Sequence, residues 1–481
     1  MSIRITVLTL VVMFLATYAW KNWFNALLGG IVLFAFLERP DMPRTIAGVP
    51  GLNFWNLLFL SITFAWLNQR KMEGNQLDFP RGIHTALIFY IVVMVLAALR
   101  ALIDPSRYYE GTRMDLLLNY LVNPLKFLLP ALMLYDGCRT RERTVHALGA
   151  ILLVYFLLAV LTLKSMGLSL SFSSGDELSD RAARRLVRDV GYHRVDLSMM
   201  LSGASWALIA FSQLFKQHWI KLALFGASGI TLLGQAMTGG RTGYVTWGVI
   251  GLTLCVVRWR KLLPVIPIMV AVVIAFVPAV RERMLQGFGG ETGGMVEQTD
   301  ASSVTSGRDR IWPLVIDEIK QSPWVGYGRN AMQRTGLSSW ALDHLGEVFG
   351  HPHNAYLEYL LDNGYLGFLC GMPIYWLLFR RNIQLFRSQN DQIYEVVGGV
   401  GLALLMALLI AGVGAQTFYP REGTVPMWAA LAVALRAWVA RSQISTHEPI
   451  HSDGWRRESS QGVDHDESRA NLSTKPRGGL A

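Results

Sequence analysis

Long apolar runs separated by short polar loops dominate the chain from its first residues to about residue 440. Windows of roughly 17–25 residues, enough to cross a bilayer core as a helix, fall near 5–20, 22–37, 51–67, 83–103, 116–135, 144–164, 196–215, 219–237, 241–257, 262–279, 354–379, 394–415 and 424–440. The pattern predicts an all-α polytopic membrane protein with twelve or thirteen transmembrane helices. A membrane domain over 1–440 is followed by a polar tail over 441–481. The tail is mixed in charge and poor in aromatic residues, so it is expected to be disordered.

The short loops with Arg70 and Lys71, with Arg139, Arg141 and Arg143, with Lys216 and Lys221, with Arg258, Arg260 and Lys261, and with Arg380, Arg381 and Arg387 fall on alternate crossings. The positive-inside rule places them in the cytoplasm. Segments 165–195, 238–241, 280–352 and 416–423 then lie outside, and the tail inside. No small-residue cleavage site closes the first apolar run, so a removed signal peptide is a poor reading of it.

Two outer segments are too long for turns. In 165–195, Ser179-Asp180 is followed by Arg181, Arg184, Arg185 and Arg188, which share one side of a short helix. They face either lipid headgroups, as on an interfacial helix, or a bound anion. In 280–352, Ser306-Gly307-Arg308-Asp309 resembles a capping box, and Ile311, Trp312, Val315, Ile316 and Ile319 recur at helical spacing. An amphipathic helix over about 308–321 follows. The preceding run from Gly287 to Gly307, rich in Gly, Ser and Thr, suits a mobile lid.

Composition narrows the function. Only 16% of the residues are charged, against about a quarter in soluble proteins. The net charge of +10 is carried largely by the inter-span loops, so it does not indicate nucleic acid. Cys138, Cys255 and Cys370 supply neither a disulfide framework nor a four-cysteine metal site. A cluster of Asp343, His344, Glu347, His351 and His353 raises a metal reading, but a His-X-His pair is a weak signal without a third ligand in fixed geometry. No cofactor or metal is expected.

Three polar sets lie at helix ends on the outer side. Thr238-Gly239-Gly240-Arg241-Thr242-Gly243 makes a tight turn that delivers Arg241 to the first turn of a span. The guanidinium either snorkels to headgroups or grips a phosphate by a bidentate fork. Arg308, Asp309 and Arg310 open the amphipathic helix, where free N–H groups and cations suit an anion as well as they suit a simple cap. His351-Pro352-His353-Asn354 leads into a span. With Pro352 at the first helical position, His353 and Asn354 are expected in the first turn, where the positive end of the helix dipole favours neutral imidazole. Such a group is a general base or a solvated cap.

In order and position these sets resemble the O-antigen ligase and O-antigen polymerase superfamily of bacterial envelope glycosyltransferases. The likeness runs from about Leu197 to Gly367. It rests on Gly240-Arg241, Gly307-Arg308 with Trp312, Pro323-Trp324-Val325-Gly326-Tyr327-Gly328 and His353-Asn354-Ala355-Tyr356-Leu357. Gly240 departs from the Ser-Arg usual there. The resemblance implies a metal-independent, inverting transferase of GT-C type in the bacterial inner membrane, active at the periplasmic face. Its donor is an oligosaccharide on undecaprenyl diphosphate, and its acceptor a glycan or lipid A core. His353 is the implied base, and Arg241 and Arg308 hold the diphosphate. Asn354, Arg310 and His351 are supporting candidates, and a chain-length regulator and a flippase are candidate partners. The resemblance fits a polymerase of O-antigen or exopolysaccharide repeat units, a ligase, or less well a protein O-oligosaccharyltransferase. A lipid-linked oligosaccharide flippase is the competing reading outside the enzymes, but a transporter should place ionisable groups at mid-membrane in two related halves. Here they gather at helix ends.

Overall fold

The computed structural model describes residues 3–43, 45–46, 53–74, 77–104, 111–167, 174–285, 290–292, 295–297, 308–346, 349–389 and 391–446. The chain is an all-α polytopic membrane protein. Among the described residues, six helical segments have the length and hydropathy to cross a membrane: Arg81–Ile103, Arg113–Gly137, Arg141–Met166, Arg194–Ser212, Gln392–Ala411 and Glu422–Gln443. Three shorter apolar helices, Ile3–Tyr18, Trp23–Leu37 and Arg241–Val257, coincide with further expected spans. Phe54–Glu73, His218–Ala236 and Val265–Phe276 fall on three others, and the expected 354–379 run is two helices, Ala355–Gly371 and Pro373–Phe386. A two-stranded hairpin pairs Gly290–Thr292 with Met295–Glu297.

Burial separates the centre from the lipid-facing shell. The Arg194–Ser212 window is 83% buried and that of Arg81–Ile103 only 33%. Close approach at the centre depends on missing side chains. A Cβ on Gly203 would lie 2.9 Å from Ala407 Cβ, and one on Gly251 would run into the Trp206 ring. Small residues of this kind let membrane helices pack by van der Waals contact, since burial of apolar surface gains little in lipid.

The long segment after residue 307 has its own small core. Helix Arg308–Gln321 has the expected bounds and buries Ile311, Val315 and Ile319 against Phe349 and Leu361. Ile316, expected in the same stripe, is exposed. The capping-box residues Ser306 and Gly307, and most of the lid run 287–307, lie outside the described residues. The tail from 447 does too, and the last helix, Val425–Thr446, passes the expected boundary at 440.

Helix Ala355–Gly371 is broken at Gly364, whose φ of 64° and ψ of −173° leave helical space. The 323–328 element docks into this break. Tyr365 N–H donates to Pro323 O at 2.7 Å, Leu366 N–H to Trp324 O at 3.1 Å, Tyr327 N–H to Leu361 O at 2.9 Å and Gly328 N–H to Asp362 O at 2.7 Å. The exchange satisfies backbone groups that a broken helix leaves orphaned. Next to it, buried Arg329 reaches Asp362 at 2.6 Å and Glu358 at 3.3 Å, with its guanidinium 3.3 Å over the Tyr419 ring. These contacts fix the helix that follows His353.

Candidate functional site

The end of helix Ala355–Gly371 that carries His353 is built differently from the expected first-turn arrangement. Pro352 and His353 precede the helix, and Asn354 is its N-cap, with Oδ1 accepting from the N–H groups of Tyr356 at 3.0 Å and Leu357 at 3.2 Å. An amide oxygen satisfies these orphan donors, whereas Pro352 at the first helical position would have left them open. His353 therefore occupies the preceding position with φ 51°. Among the described residues only it and Asn330 are non-glycine residues with positive φ. For a bulky side chain this conformation costs about 1–2 kcal/mol, and surrounding bonds hold it. His353 N–H donates to His351 Nδ1 at 3.1 Å, Trp312 Nε1–H to Pro352 O at 2.9 Å and Ala355 N–H to Gly412 O at 2.7 Å. Tyr356 Oη–H donates to Leu409 O at 2.9 Å. The two imidazole rings lie 4.1 Å apart.

Replacing Asn354 by alanine removes this cap. The expected result is a loss of about 1 kcal/mol, read as a lower thermal midpoint in detergent, while Asn354→Asp keeps the acceptor and the stability.

Arg241 starts helix Arg241–Val257 after Gly240. The turn before it needs Gly239 at φ 64°. A Cβ on Gly240 would lie 2.7 Å from Ser198 Oγ, and Ser198 Oγ–H donates to Gly240 O at 3.3 Å. A neighbouring helix thus puts a serine hydroxyl beside this glycine. Arg308 Nη2 donates to Gly414 O at 3.3 Å, and a Cβ on Gly414 would stand 3.2 Å from Arg308 Nη1 and 2.8 Å from Thr242 Oγ1. Arg308 and the start of the Arg241 helix therefore meet across Gly414. Arg310 is exposed.

Two further arginines join them. Arg194 lies within electrostatic range of Arg241, Arg283 and Arg308, and Arg283 within range of Arg241. Arg283 is buried and its Nε donates to Gly239 O at 3.3 Å, while Arg194 Nη1 donates to Ser179 O at 3.3 Å. Cations gathered in this way at low exposure repel one another. The arginines of helix Gly175–Asp189 do something else. Arg181 pairs with Glu177 at 3.0 Å, Arg184 with Asp180 at 3.8 Å and Arg188 with Asp189 at 2.9 Å. Exposed pairs of this kind contribute little, and the contribution of this helix is its Ser179 contact with Arg194.

Arg308 also acts on the histidines. Burial first, then Arg308 and His193, hold the His353 imidazole down to about 4, and burial, His353 and Arg421 hold His351 far below its ordinary value. Both are neutral at pH 7. If neutral His353 is the base, the reactive form dominates above its pKa, so activity persists as pH falls through 6.5 and is lost only nearer 4. A kcat/KM profile checks this, and Arg308→Gln, which removes a repelling cation, should move the acid limb upward. The remaining members of the acidic and histidine cluster stand apart in role. His344 stacks on Trp340 at 4.3 Å and bonds Trp340 O, and Glu347 lies outside the described residues.

Residues 226–372 match the family model described as O-antigen ligase, a segment containing Arg241, Arg283, Arg308, the 323–328 element and His353. Over this segment the chain is similar to the O-antigen ligase family. Curated relatives agree. Over 85 residues, 18% of this chain and 14% of the relative, the chain is 33% identical to a general O-oligosaccharyltransferase of Acinetobacter baylyi. Over 135 residues it is 27% identical to an O-antigen ligase of Pseudomonas aeruginosa, covering 27% of this chain and 30% of the relative. Over 114 residues it is 29% identical to the exopolysaccharide production protein ExoQ of Rhizobium meliloti, covering 22% and 26%. The matches thus span less than a third of each of these relatives. His193, Arg194 and Arg421 lie outside the matched family segment, and sequence reasoning missed them because only folding brings them to Arg308 and His353.

Proposed function

We propose that the chain is a glycosyltransferase of the bacterial inner membrane that works at the periplasmic face, and that it joins repeat units carried on undecaprenyl diphosphate into an O-antigen or exopolysaccharide. The observation that carries this reading is the neutral, conformationally constrained His353 within electrostatic range of Arg308, which itself acts on Arg194 and Arg241. As the anomeric C–O bond breaks, negative charge collects on the diphosphate leaving group, and the guanidinium groups of Arg241 and Arg308 stabilise it, with Arg194 and Arg283 adding to the field. The acceptor hydroxyl is a weak nucleophile at neutral pH. His353 takes its proton as the new C–O bond forms, and attack from the face opposite the diphosphate inverts the anomeric centre. No residue of this scheme calls for a metal, so transfer is expected to survive a chelator.

The test deletes the gene in its host and restores it as wild type or as His353→Ala, then sizes both the lipid-linked and the surface glycans. Single repeat units accumulating on the carrier, with long chains lost, support a polymerase that depends on His353. Long chains still made on the carrier but missing from lipid A core would replace it with a ligase. Long chains made by the His353→Ala protein would remove the catalytic assignment.

A further inference from the structure

Of the motifs that stand out in the sequence, Pro323-Trp324-Val325-Gly326-Tyr327-Gly328 takes no part in the chemistry above. It belongs to the outer segment 280–352, yet it is wedged between two spans. On one side its backbone bonds Leu361, Asp362, Tyr365 and Leu366 of helix Ala355–Gly371. On the other it meets helix Arg81–Ile103, where Arg100 Nη1 donates to Val325 O at 3.1 Å and the adjoining Arg329 N–H donates to Ala97 O at 2.9 Å. Glycine makes the fit possible. With φ 60° at Gly326 and 86° at Gly328, a Cβ on the first would stand 2.6 Å from Asn363 N, and one on the second 2.8 Å from Ala97 O.

Helical rise sets the height of this wedge. From Arg380, on the side of the basic loops, to Tyr365 is at most about 22 Å of helix, and from Arg81 to Ala97 about 24 Å, at 1.5 Å per residue. A hydrocarbon core is about 30 Å thick, so both contacts lie within its outer half, and any tilt places them deeper. The side chains suit that depth. Trp324 and Val325 are 64% and 54% exposed, and the flanking helices expose Leu96, Leu99, Leu366 and Leu369. Trp324 meets Tyr365 edge-on at 6.4 Å, and these two residue types are enriched where a bilayer meets water. The backbone suits it too. Each carbonyl from Pro323 to Tyr327 accepts a bond, in turn from Tyr365 N–H, Leu366 N–H, Arg100, the Ser322 hydroxyl and Arg334. A turn in water needs no such partners, whereas lipid offers no donor and protein must supply them all.

We infer that the 323–328 element is a re-entrant membrane-binding surface, seated at the outer edge of the hydrocarbon core with Trp324 and Val325 against the acyl chains of outer-leaflet phospholipid. The surface goes beyond the transferase reading and stands independently of it. Lipid rather than a second copy of the chain is the occupant, because the surface continues helix Arg81–Ile103, whose window is only 33% buried and already faces lipid. Helix Arg308–Gln321 ends two residues before Pro323, so this contact ties the height of that helix to the bilayer.

The test reconstitutes the full chain, as wild type and as Trp324→Phe, in phosphatidylcholine vesicles whose acyl chains carry bromine near the glycerol end. The difference between the two tryptophan emissions isolates Trp324. That difference should be mostly lost to the brominated lipid and mostly spared by acrylamide in the water. Loss to acrylamide as strong as loss to bromine overturns the inference, and so does loss to neither. In parallel, photoreactive benzoylphenylalanine at Val325 should give a phospholipid adduct on irradiation, and an adduct formed only between two copies of the chain overturns it. Neither arm reads activity, so failure here leaves the transferase reading standing, and a chain that transfers no glycan leaves this surface in place.

Discussion

Transfer by the His353→Ala protein is expected to fall by roughly 10²–10⁴-fold, the usual contribution of a positioned general base, with the protein still folded and inserted. The fold should survive because the backbone bonds around His353 are made by other groups: Trp312 to the Pro352 carbonyl, Ala355 to the Gly412 carbonyl, and Asn354 to the first turn of its own helix. His353→Gly makes a sharper test. Glycine adopts positive φ without penalty, so relief of the left-handed conformation should raise stability by about 1 kcal/mol while transfer is lost as completely as with alanine. Stability and activity moving in opposite directions is the signature of a strained functional position. His351→Ala is expected to act differently. Its Nδ1 accepts the His353 N–H, so its loss loosens the loop and lowers transfer without removing the base. Rates in reconstituted membranes and thermal midpoints in detergent check all three variants.

Arg241→Lys and Arg308→Lys are each expected to lower kcat by about 10²–10³-fold, the range seen when one preorganised donor to a developing anion is removed. Charge is retained in both variants, so a loss of this size requires geometry. A guanidinium presents two parallel N–H donors to a phosphate, and a single ammonium does not reproduce that fork. Arg308 carries a second duty, since its charge helps keep His353 neutral. Arg308→Lys should leave the acid limb of the pH profile largely in place, while Arg308→Gln should move it up. The double variant Arg241→Lys with Arg308→Lys should lose less than the product of the single losses, because both side chains act on one diphosphate. Steady-state rates, with undecaprenyl diphosphate as a product inhibitor, measure these effects. Weaker product inhibition should accompany each arginine change.

Much of this site is legible in the sequence because it is local. A glycine turn before Arg241, helical periodicity from Arg308 to Ile319, and His-Asn before an apolar run each describe one short stretch, and the helix Arg308–Gln321 begins and ends where periodicity places it. What the sequence hides is non-local or follows from competition between rules. Pro352 suits a first helical position, yet Asn354 two residues later is the better cap and moves the helix start beyond His353. The arginines of Gly175–Asp189 read as a row facing either lipid headgroups or a bound anion, but acidic residues on the same helix pair with Arg181, Arg184 and Arg188. Arg194, Arg283 and Arg421 come from three separate stretches of the chain, and no local spacing announces that the first two come near Arg241 and the third near His351. The break at Gly364 is equally silent, because a glycine within an apolar span gives no sign that the 323–328 backbone will fill the gap.

The most direct measurement of the central claim puts purified protein into liposomes with lipid-linked repeat units as the sole glycan and a chelator present, and follows product size over time. The account predicts a lengthening ladder on the polyprenyl carrier, release of undecaprenyl diphosphate in step with each added unit, and neither with the His353→Ala protein. A ladder formed equally well by the His353→Ala protein would contradict it, as would repeat units crossing the bilayer unchanged without any new glycosidic bond.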